Sequence, residues 1–334
     1  MKSSLYFGLF AVFVTNELMG QGQVPPAQKR MIDSIKKVYI REAAIRSVSL
    51  RQVMVSTDFV SNADINGKLY GNNLFDGKIS QIRTSALVNV PVVAWGKNKV
   101  TASFSLFHQY FNLVSNKVYM PADINVHDTA MNKVTVGVSA SFQRVDSLFG
   151  RRVIYTGSLT VLSDDYRLAQ KISFLGGMIF QLKQTRTTNV SLGLLLNVDP
   201  AVNIPVLPLF VYWHMFPNKL ELDISLPQRI GVRTALSKRS WFTFGSAIAG
   251  SVSFFRLSHA VLPADASFSS VDLKTGPGLE FRVGKLLMLG VNGGVLTPLT
   301  SRQYERNEKS NKYFLSNNIS TIPYANITVS LLPF

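Results

Sequence analysis

The amino-acid sequence predicts an all-β protein, a transmembrane antiparallel up-and-down β-barrel of about 14 strands behind a short N-terminal amphipathic helix. Two observations predict this fold: long segments in which apolar and polar residues alternate, and connections whose lengths sort by parity along the chain. Asn132 to Gln143, NKVTVGVSASFQ, shows the alternation most clearly. Because successive strand side chains point to opposite faces, this segment has one apolar wall and one small, polar wall.

The composition excludes several other architectures. Hydrophobic residues make up 46% of the chain and charged residues 16%, whereas soluble domains usually have about 25% charged residues. Beyond the N-terminus, no run of about 18 uncharged apolar residues is long enough for a membrane-spanning helix. Alternating strands must therefore present the apolar surface. Since the chain has no cysteine, disulfides and thiolate metal sites are excluded, and we expect no metal and no cofactor.

The chain is strongly basic, with 35 Lys and Arg against 19 Asp and Glu and a net charge of +16. The bases are scattered over many segments, and no basic helix, zinc finger or aromatic RNA-binding motif accompanies them. We therefore expect no nucleic-acid partner. A phosphate-rich lipid surface or an anion-attracting lumen fits this charge better.

The N-terminal residues predict secretion. Residues 1–20 contain Lys2, the apolar run LYFGLFAVFV and a small residue, Gly20, which is the pattern of a cleaved signal peptide. Residues 21–46 form a predicted periplasmic leader, and residues 47–334 the barrel. Within the leader, Val24 to Ala44 has apolar residues at helical spacing and bases on much of the other face. This helix is either a plug or partner-docking element, or a solvated leader lying against the domain.

Fourteen segments then have strand character. Several are 14 to 18 residues long, although strands in soluble sheets usually have about five or six. Twelve or sixteen strands remain compatible with the pattern. The predicted segments are 47–60, 78–95, 99–113, 132–146, 152–163, 171–184, 188–199, 204–216, 219–226, 229–237, 241–256, 270–284, 286–297 and 314–333.

The connections between these segments support a membrane barrel. Every connection after an even-numbered strand is short, whereas the long ones, 61–77, 114–131, 257–269 and 298–313, all follow odd-numbered strands. Outer-membrane barrels have short periplasmic turns and longer outer loops. A closed barrel also leaves no unpaired strand edges.

Ile204 to Phe216 is an exception to the alternation, since it is apolar on both faces. We interpret it as a bent strand with Tyr212, Trp213 and Phe216 in an aromatic girdle, rather than as a cover for a plug or a subunit contact.

With these features the chain resembles the Gram-negative outer-membrane β-barrel proteins over residues 47–334. The stretch KLELDISLPQRIGVRTALS from Lys219 is similar to the tight outer hairpin of poorly characterised members, and the chain ends in NITVSLLPF with a terminal Phe334. The resemblance implies the cell outer membrane as location, outer-membrane lipid as surroundings, and recognition of Phe334 by the barrel-assembly machinery. Pro333 departs from the usual alternation next to that residue.

Charged residues on the polar strand faces are the candidate site. If residues 227–229 form a three-residue loop, Asp223 and Arg233 lie directly opposite one another, either as a lumen constriction that selects solutes or as a structural ion pair. Bases outnumber acids in the whole set, so we expect a passive channel or binding barrel for small polar, anionic solutes. The lumen candidates are Arg51, Arg83, Lys133, Asp223, Arg233, Lys274, Glu280 and Arg282.

Two other functions compete with the channel. One is a non-conducting structural or assembly and secretion-associated barrel whose lumen is filled by side chains. The other is an omptin-like rim hydrolase, in which His127 and Asp128 face Asp164 and Asp165 across the outer rim. Adjacent acidic residues in loops are usually only solvated, and we expect no enzyme activity and no catalytic residue.

Overall fold

The computed structural model describes residue 34 and residues 38–119, 128–164, 169–199, 205–257, 262–306 and 308–333. The predicted signal peptide, most of the predicted amphipathic helix, His127, Asp165 and Phe334 lie outside these residues. Helix α1 spans residues 38–46, and a 3₁₀ turn follows at Val48–Leu50. None of the helices in the described part of the chain is long and apolar enough to span a bilayer.

All fourteen predicted strands are present, and the strand number is confirmed. The last predicted strand consists of two segments, β14 and β15, which both pair with β1 on one side and with β13 on the other. The strands are β1 (Val53–Leu69), β2 (Asn72–Trp95), β3 (Asn98–Val118), β4 (Thr129–Leu148), β5 (Arg151–Ser163), β6 (Lys171–Gln184), β7 (Thr188–Val198), β8 (Val206–Met215), β9 (Glu221–Leu226), β10 (Arg229–Ala235), β11 (Ser240–Arg256), β12 (Asp265–Val283), β13 (Leu287–Glu305), β14 (Tyr313–Ile319) and β15 (Ile322–Leu331).

The sheet closes on itself. Each strand pairs antiparallel with its sequence neighbour from β1 to β13, and the β14/β15 strand joins β13 back to β1. Outward side chains form an apolar belt that includes Phe104, Val138, Leu194, Phe244 and Ile327, which expose between 50% and 54% of their surface. Because the sheet is closed and the apolar belt faces lipid, the protein is a transmembrane β-barrel.

The prediction of a long first outer loop was wrong. β1 continues to Leu69 and β2 begins at Asn72, so only Tyr70 and Gly71 connect them, both with positive φ (48° and 86°). That geometry is typical of a tight hairpin turn. Around the other three long connections, β3, β4, β12, β13 and β14 are also longer than predicted on the outer side, whereas β11 ends at Arg256 as predicted. Beyond the bilayer, backbone pairing continues while the apolar alternation is no longer required, so the sequence pattern ends before the strand does.

The interior of the barrel is packed on one side at its outer end. Inward side chains of β1–β3 and β12–β15 form a buried apolar cluster, in which Phe111 and Phe268 meet edge to face with ring centroids 6.0 Å apart. The opposite wall, β5–β10, contributes no member to this cluster among the residues that the structure describes. The lumen is therefore asymmetric.

Candidate functional site

The lumen is pinched where β4 and β11 meet across it. These two strands are seven positions apart in either direction around the fourteen-stranded ring, so they are diametrically opposed. Thr135 Oγ1 donates to Val252 O over 3.1 Å, and Ser253 Oγ donates to Gln109 Oε1 over 2.6 Å. Gln109 is fully buried. The pinch divides the interior into a packed half beside β1–β3 and β12–β15 and a second half beside β5–β10.

Glu280 is the centre of a charge cluster near the periplasmic end of the packed half. Its Oε1 accepts from Arg51 Nη2 over 2.5 Å, and its Oε2 accepts from Arg233 over 3.2 Å. Arg51 is 2% exposed and also donates to Ala44 O and to the hydroxyl of Ser330. All hydrogen-bonding groups of this cluster sit in low-dielectric surroundings, where charge-assisted hydrogen bonds are strong.

Two further ion pairs cross the same half. Arg83 pairs with Asp272, and both side chains are buried. Lys274 pairs with Asp58, whose other oxygen accepts from Asn326 Nδ2 over 2.8 Å. Each of these cations therefore has an acidic partner from a strand that is not its neighbour in the sheet, which ties β12 across the lumen to β1 and β2.

The other lumen candidates also point inward. Lys133 Nζ lies 4.2 Å from the centroid of the Phe255 ring across the pinch, and Arg282 pairs with Glu42 of α1 over 3.3 Å. The prediction that Asp223 and Arg233 lie directly opposite one another was wrong. Asp223 lies opposite Gly231, because the hairpin turns one residue earlier, at residues 226–228, with Gln228 N donating to Ser225 O.

Asp223 and Arg233 consequently have different partners. Asp223 pairs with Arg229 of the same hairpin over 2.6 Å, whereas Arg233 lies opposite Glu221 and reaches Glu280. The ion pair that the sequence predicted within the hairpin is thus replaced by one local pair and one pair across the lumen.

Helix α1 lies in the periplasmic mouth of the barrel. Ala44 and Ile45 are buried against Met288 and Leu332, whose side chains point inward near the periplasmic ends of their strands. On the opposite wall, Arg46 pairs with Glu221 over 3.5 Å and its guanidinium lies 5.2 Å from the centre of the Trp213 ring. The described part of the helix therefore contacts both walls of the mouth through residues 44–46, whereas Val38 and Ile40 are exposed. A plug or partner-docking role of the helix stays a prediction.

The β5–β10 wall differs from the packed half because its inward side chains stay accessible. Leu175 points inward by register, opposite Ser158, and still exposes 38% of its surface. Leu195 and Leu207 are paired inward neighbours on β7 and β8 and are also partly exposed. The apolar residues of β8 contribute to this wall. Trp213, expected in the aromatic girdle, points inward and donates from Nε1 to Glu221 over 3.1 Å.

A cavity of about 490 Å³ lies next to the pinch, between β3–β5 and β11–β12. Ser105, Thr135 and Ser270 contribute to its lining, and the ion pair of Lys171 with Asp199 (2.9 Å) borders it toward the outer end. Space therefore remains beside the contact of β4 with β11.

The rim residues of the hydrolase alternative are only partly described. Asp128 accepts from Ser115 N (2.8 Å) and Ser115 Oγ (3.2 Å), which is a structural loop contact. Its neighbour His127 and Asp165 lie outside the described residues, and so does the terminal Phe334. Within the described part of the chain, no group of three or more His, Asp or Glu side chains has the arrangement of a metal site.

Sequence reasoning missed two parts of this site. The acidic partners Asp58 and Asp272 occupy inward positions of their strands, and their parity was readable from the alternation. The contacts of α1 with the mouth had no signal in the strand pattern, because they join a helix to strands about 180 and 240 residues later in the chain.

Residues 52–331 match the model of a family described as Domain of unknown function (DUF6268). No curated protein matches the sequence. Among solved structures, the chain is similar to an outer membrane channel of Pseudomonas putida F1, with 8% identity over 84% of this chain and 96% of that chain and a TM-score of 0.37. It is also similar to a FadL homologue of Pseudomonas aeruginosa, with 10% identity, coverage of 84% and 90%, and a TM-score of 0.41. A third is the β domain of the Bordetella autotransporter BrkA, with 11% identity, coverage of 84% and 99%, and a TM-score of 0.30.

Proposed function

The match over residues 52–331 means that the chain belongs to the DUF6268 family, and because that description carries no activity, we propose a function from the lumen itself. The protein is an outer-membrane β-barrel. We propose that it provides a narrow passage or binding lumen for small anionic solutes along the β5–β10 wall. The observation that carries this proposal is the asymmetry of the lumen, in which one half is packed and the other remains accessible.

The charge of the lumen supports the preference for anions. Nearly every lumen cation described above has an acidic partner, yet cationic side chains still outnumber acidic ones among the described inward positions. The inward cations are Arg51, Arg83, Lys99, Lys133, Arg152, Lys171, Arg229, Arg233, Lys274 and Arg282, and the inward acids are Asp58, Asp199, Glu221, Asp223, Asp272, Glu280 and Glu305. Rings and patches of one sign bias ion selection in pores.

A second candidate function is a non-conducting barrel. The contact of β4 with β11 and the position of α1 in the mouth favour it, since together they narrow the lumen at two levels. Such a barrel would serve the envelope as a structural or assembly element and would leave α1 to meet a periplasmic partner.

Single-channel recording separates these candidates. The full chain, purified from outer membranes and placed in a planar bilayer under a potassium chloride gradient, should give small steady currents with a reversal potential that favours chloride. Arg229→Glu, an inward charge reversal on the accessible wall, should shift that potential toward potassium, whereas Arg144→Glu, an exposed residue on the outside of β4, should not. A cation preference in the unmodified protein contradicts the anionic solute, and a folded but silent barrel supports the second candidate.

A further inference from the structure

The accessible half of the lumen contains an apolar strip. It consists of Leu175, Ile179, Leu195, Leu207 and Leu209, which the strand register places on the inner face of β6–β8. These side chains are partly exposed. Apolar surface facing a wet lumen is unfavourable unless something covers it. A passage for inorganic ions alone has no use for such a wall.

Two glycines lie within the strip. Gly177 is the inward residue opposite Leu195, and a Cβ there would lie 2.6 Å from Leu195 Cδ2. Gly193 lies between Ile179 and Leu209 in the next row. The side chains of Leu195 and Ile179 therefore lie over the two glycines, so the apolar surface is continuous across β6 and β7.

A polar row borders the strip on its periplasmic side. Following the register from β5 to β10, the inward residues of this row are Arg152, Gln181, Ser191, Val211, Ser225 and Arg229. An arginine thus stands at each end of the row, with an amide and two hydroxyls between them. Guanidinium groups favour carboxylates and other oxyanions, so the row complements an anionic head group while the strip complements an apolar tail.

The barrel wall is also low beside this strip. β9 has six residues and β10 seven, whereas a strand needs about 9–11 residues to cross the bilayer. The hairpin ends with exposed Leu226 and Ile230, while the outward apolar belt continues on β8 to Val206 and on β11 past Ile248. In the described part of the chain, no strand pairs with β8 on that edge beyond Phe210. The strip is therefore within reach of the hydrocarbon layer.

We propose that the apolar strip and its polar row form a binding site for an amphipathic anion with one short alkyl chain, such as an alkyl carboxylate. The tail lies along Leu195, Leu207 and Leu209, and the carboxylate faces Arg152 or Arg229. This inference rests on the proposed function, since it narrows the anionic solute to one that carries an apolar tail. Each methylene buried on the strip should raise the affinity about threefold to fourfold.

Fluorescence quenching tests this site without requiring ion conduction. Trp213, inward on β8, becomes the sole tryptophan in a Trp95→Phe/Trp241→Phe background, since the chain has three. In lipid nanodiscs, 6-bromohexanoate should quench it saturably, and hexanoate should compete about tenfold better than butanoate. Leu195→Asn/Leu209→Asn should weaken binding at least tenfold. Leu87→Asn, the matched inward substitution on the packed half, should leave binding unchanged.

The same quenching and competition assay tests whether the site recognises the carboxylate of the ligand. Arg152→Gln and Arg229→Gln should each weaken hexanoate and leave 1-hexanol unaffected. Equal competition by hexanol and hexanoate overturns the anionic part of the proposal. Unsaturable quenching, or no effect of the strip substitutions in a protein that migrates as folded, overturns the site. If the strip variants unfold while no carboxylate binds the parent protein, the strip is covered by the chain itself and the proposal is wrong. Chloride currents without carboxylate binding would support the proposed anion passage and contradict only the alkyl-carboxylate site.

Discussion

Asp272 shows how a single carboxylate is held inside this barrel. Its side chain is 1% exposed, and its Oδ2 pairs with the buried guanidinium of Arg83, which also donates to Gln81 Oε1 over 2.8 Å. Removing one partner of a buried ion pair leaves the other charge without compensation, which costs far more than the pair contributes over apolar replacements.

We therefore expect Asp272→Ala to lower the free energy of unfolding by about 3–5 kcal/mol. The double replacement Arg83→Met/Asp272→Leu should lie much closer to the parent protein, because neither charge then remains buried. Urea unfolding in lipid vesicles, followed by tryptophan fluorescence, measures both. A double variant as unstable as Asp272→Ala would show that the pair itself, rather than an uncompensated charge, sets the stability.

Asp146 represents the solvated charges outside the apolar belt. A hydrogen bond from Arg144, the backbone N–H of Ser147 and the Lys97 ammonium hold the pKa of its carboxyl at about 2, below its ordinary value of 3.8. Since the folded-state pKa is the lower one, this contribution to stability is present above pH of about 4 and is lost as the pH falls toward about 2.

Removing the Arg144 guanidinium should change the titration of the Asp146 carboxyl. In Arg144→Gln, the pKa of Asp146 should rise toward its ordinary value, as followed by the carboxyl chemical shift of labelled aspartate. Arg151→Gln, which removes a nearby base that donates to Leu182 O instead, should leave the pKa of Asp146 where it is. An unchanged pKa in Arg144→Gln would assign the shift to Ser147 and Lys97.

At the scale of elements, a row of glycines bends the sheet at β10–β13. Gly231, Gly245, Gly276 and Gly294 are register neighbours on the inner face. A Cβ at Gly276 would overlap the carbonyl oxygen of Gly293, and Gly294 has a φ of +147°. The four backbones approach each other where side chains would otherwise stand, which is how a sheet turns a tight corner.

A methyl group at this corner should be costly. We expect Gly276→Ala to lower the free energy of unfolding by about 1–3 kcal/mol through overpacking against the neighbouring backbone. Gly250→Ala on β11 is the matched control, since its Cβ would meet only Ser270 O at 3.7 Å, and should stay within about 0.5 kcal/mol. Equal effects of the two substitutions, measured by heat-modified migration and urea unfolding, would contradict the bend.

Helix α1 is the second element whose placement has a consequence. Ala44 is fully buried in the mouth, whereas Val38 of the same helix exposes 47% of its surface. A glutamate side chain at residue 44 would be buried against the apolar side chains of Met288 and Leu332, so Ala44→Glu should expel the helix and raise single-channel conductance severalfold. Val38→Glu should leave the conductance unchanged. Unaltered currents in a folded Ala44→Glu protein would show that α1 does not limit passage.

On the scale of the whole molecule, the outward belt and the inward wall alternate along each strand. Leu194 near the middle of β7 exposes 54% of its surface to the bilayer side, while Ser173 on β6 points into the lumen. Leu194→Arg should lower stability in lipid vesicles by about 2–4 kcal/mol, as expected for arginine near the bilayer midplane. Ser173→Arg should be far milder, because the lumen is wet. A reversed order would mean that the two faces of the barrel are exchanged.

The arrangement of charged residues in the lumen was only partly predictable from the sequence. The strand register puts seven of the eight lumen candidates on the inner face, as period-two alternation predicted, whereas Arg51 precedes β1 and reaches the interior through its contact with Glu280. Their partners do not follow, since Arg83 meets Asp272 only because β2 and β12 face each other inside a pinched ring. The Asp223 prediction failed on one residue of turn length, because a shift of the turn changes which residues lie opposite.

The sequence by itself predicted about fourteen strands and, along most of them, which face points outward, because alternation and turn residues act between neighbours along the chain. The tertiary structure alone decided the contact of β4 with β11, the position of α1 in the mouth and the low wall at β9–β10. These depend on the shape of the closed ring, which brings together residues far apart in the chain, and no local pattern encodes a distance across a lumen.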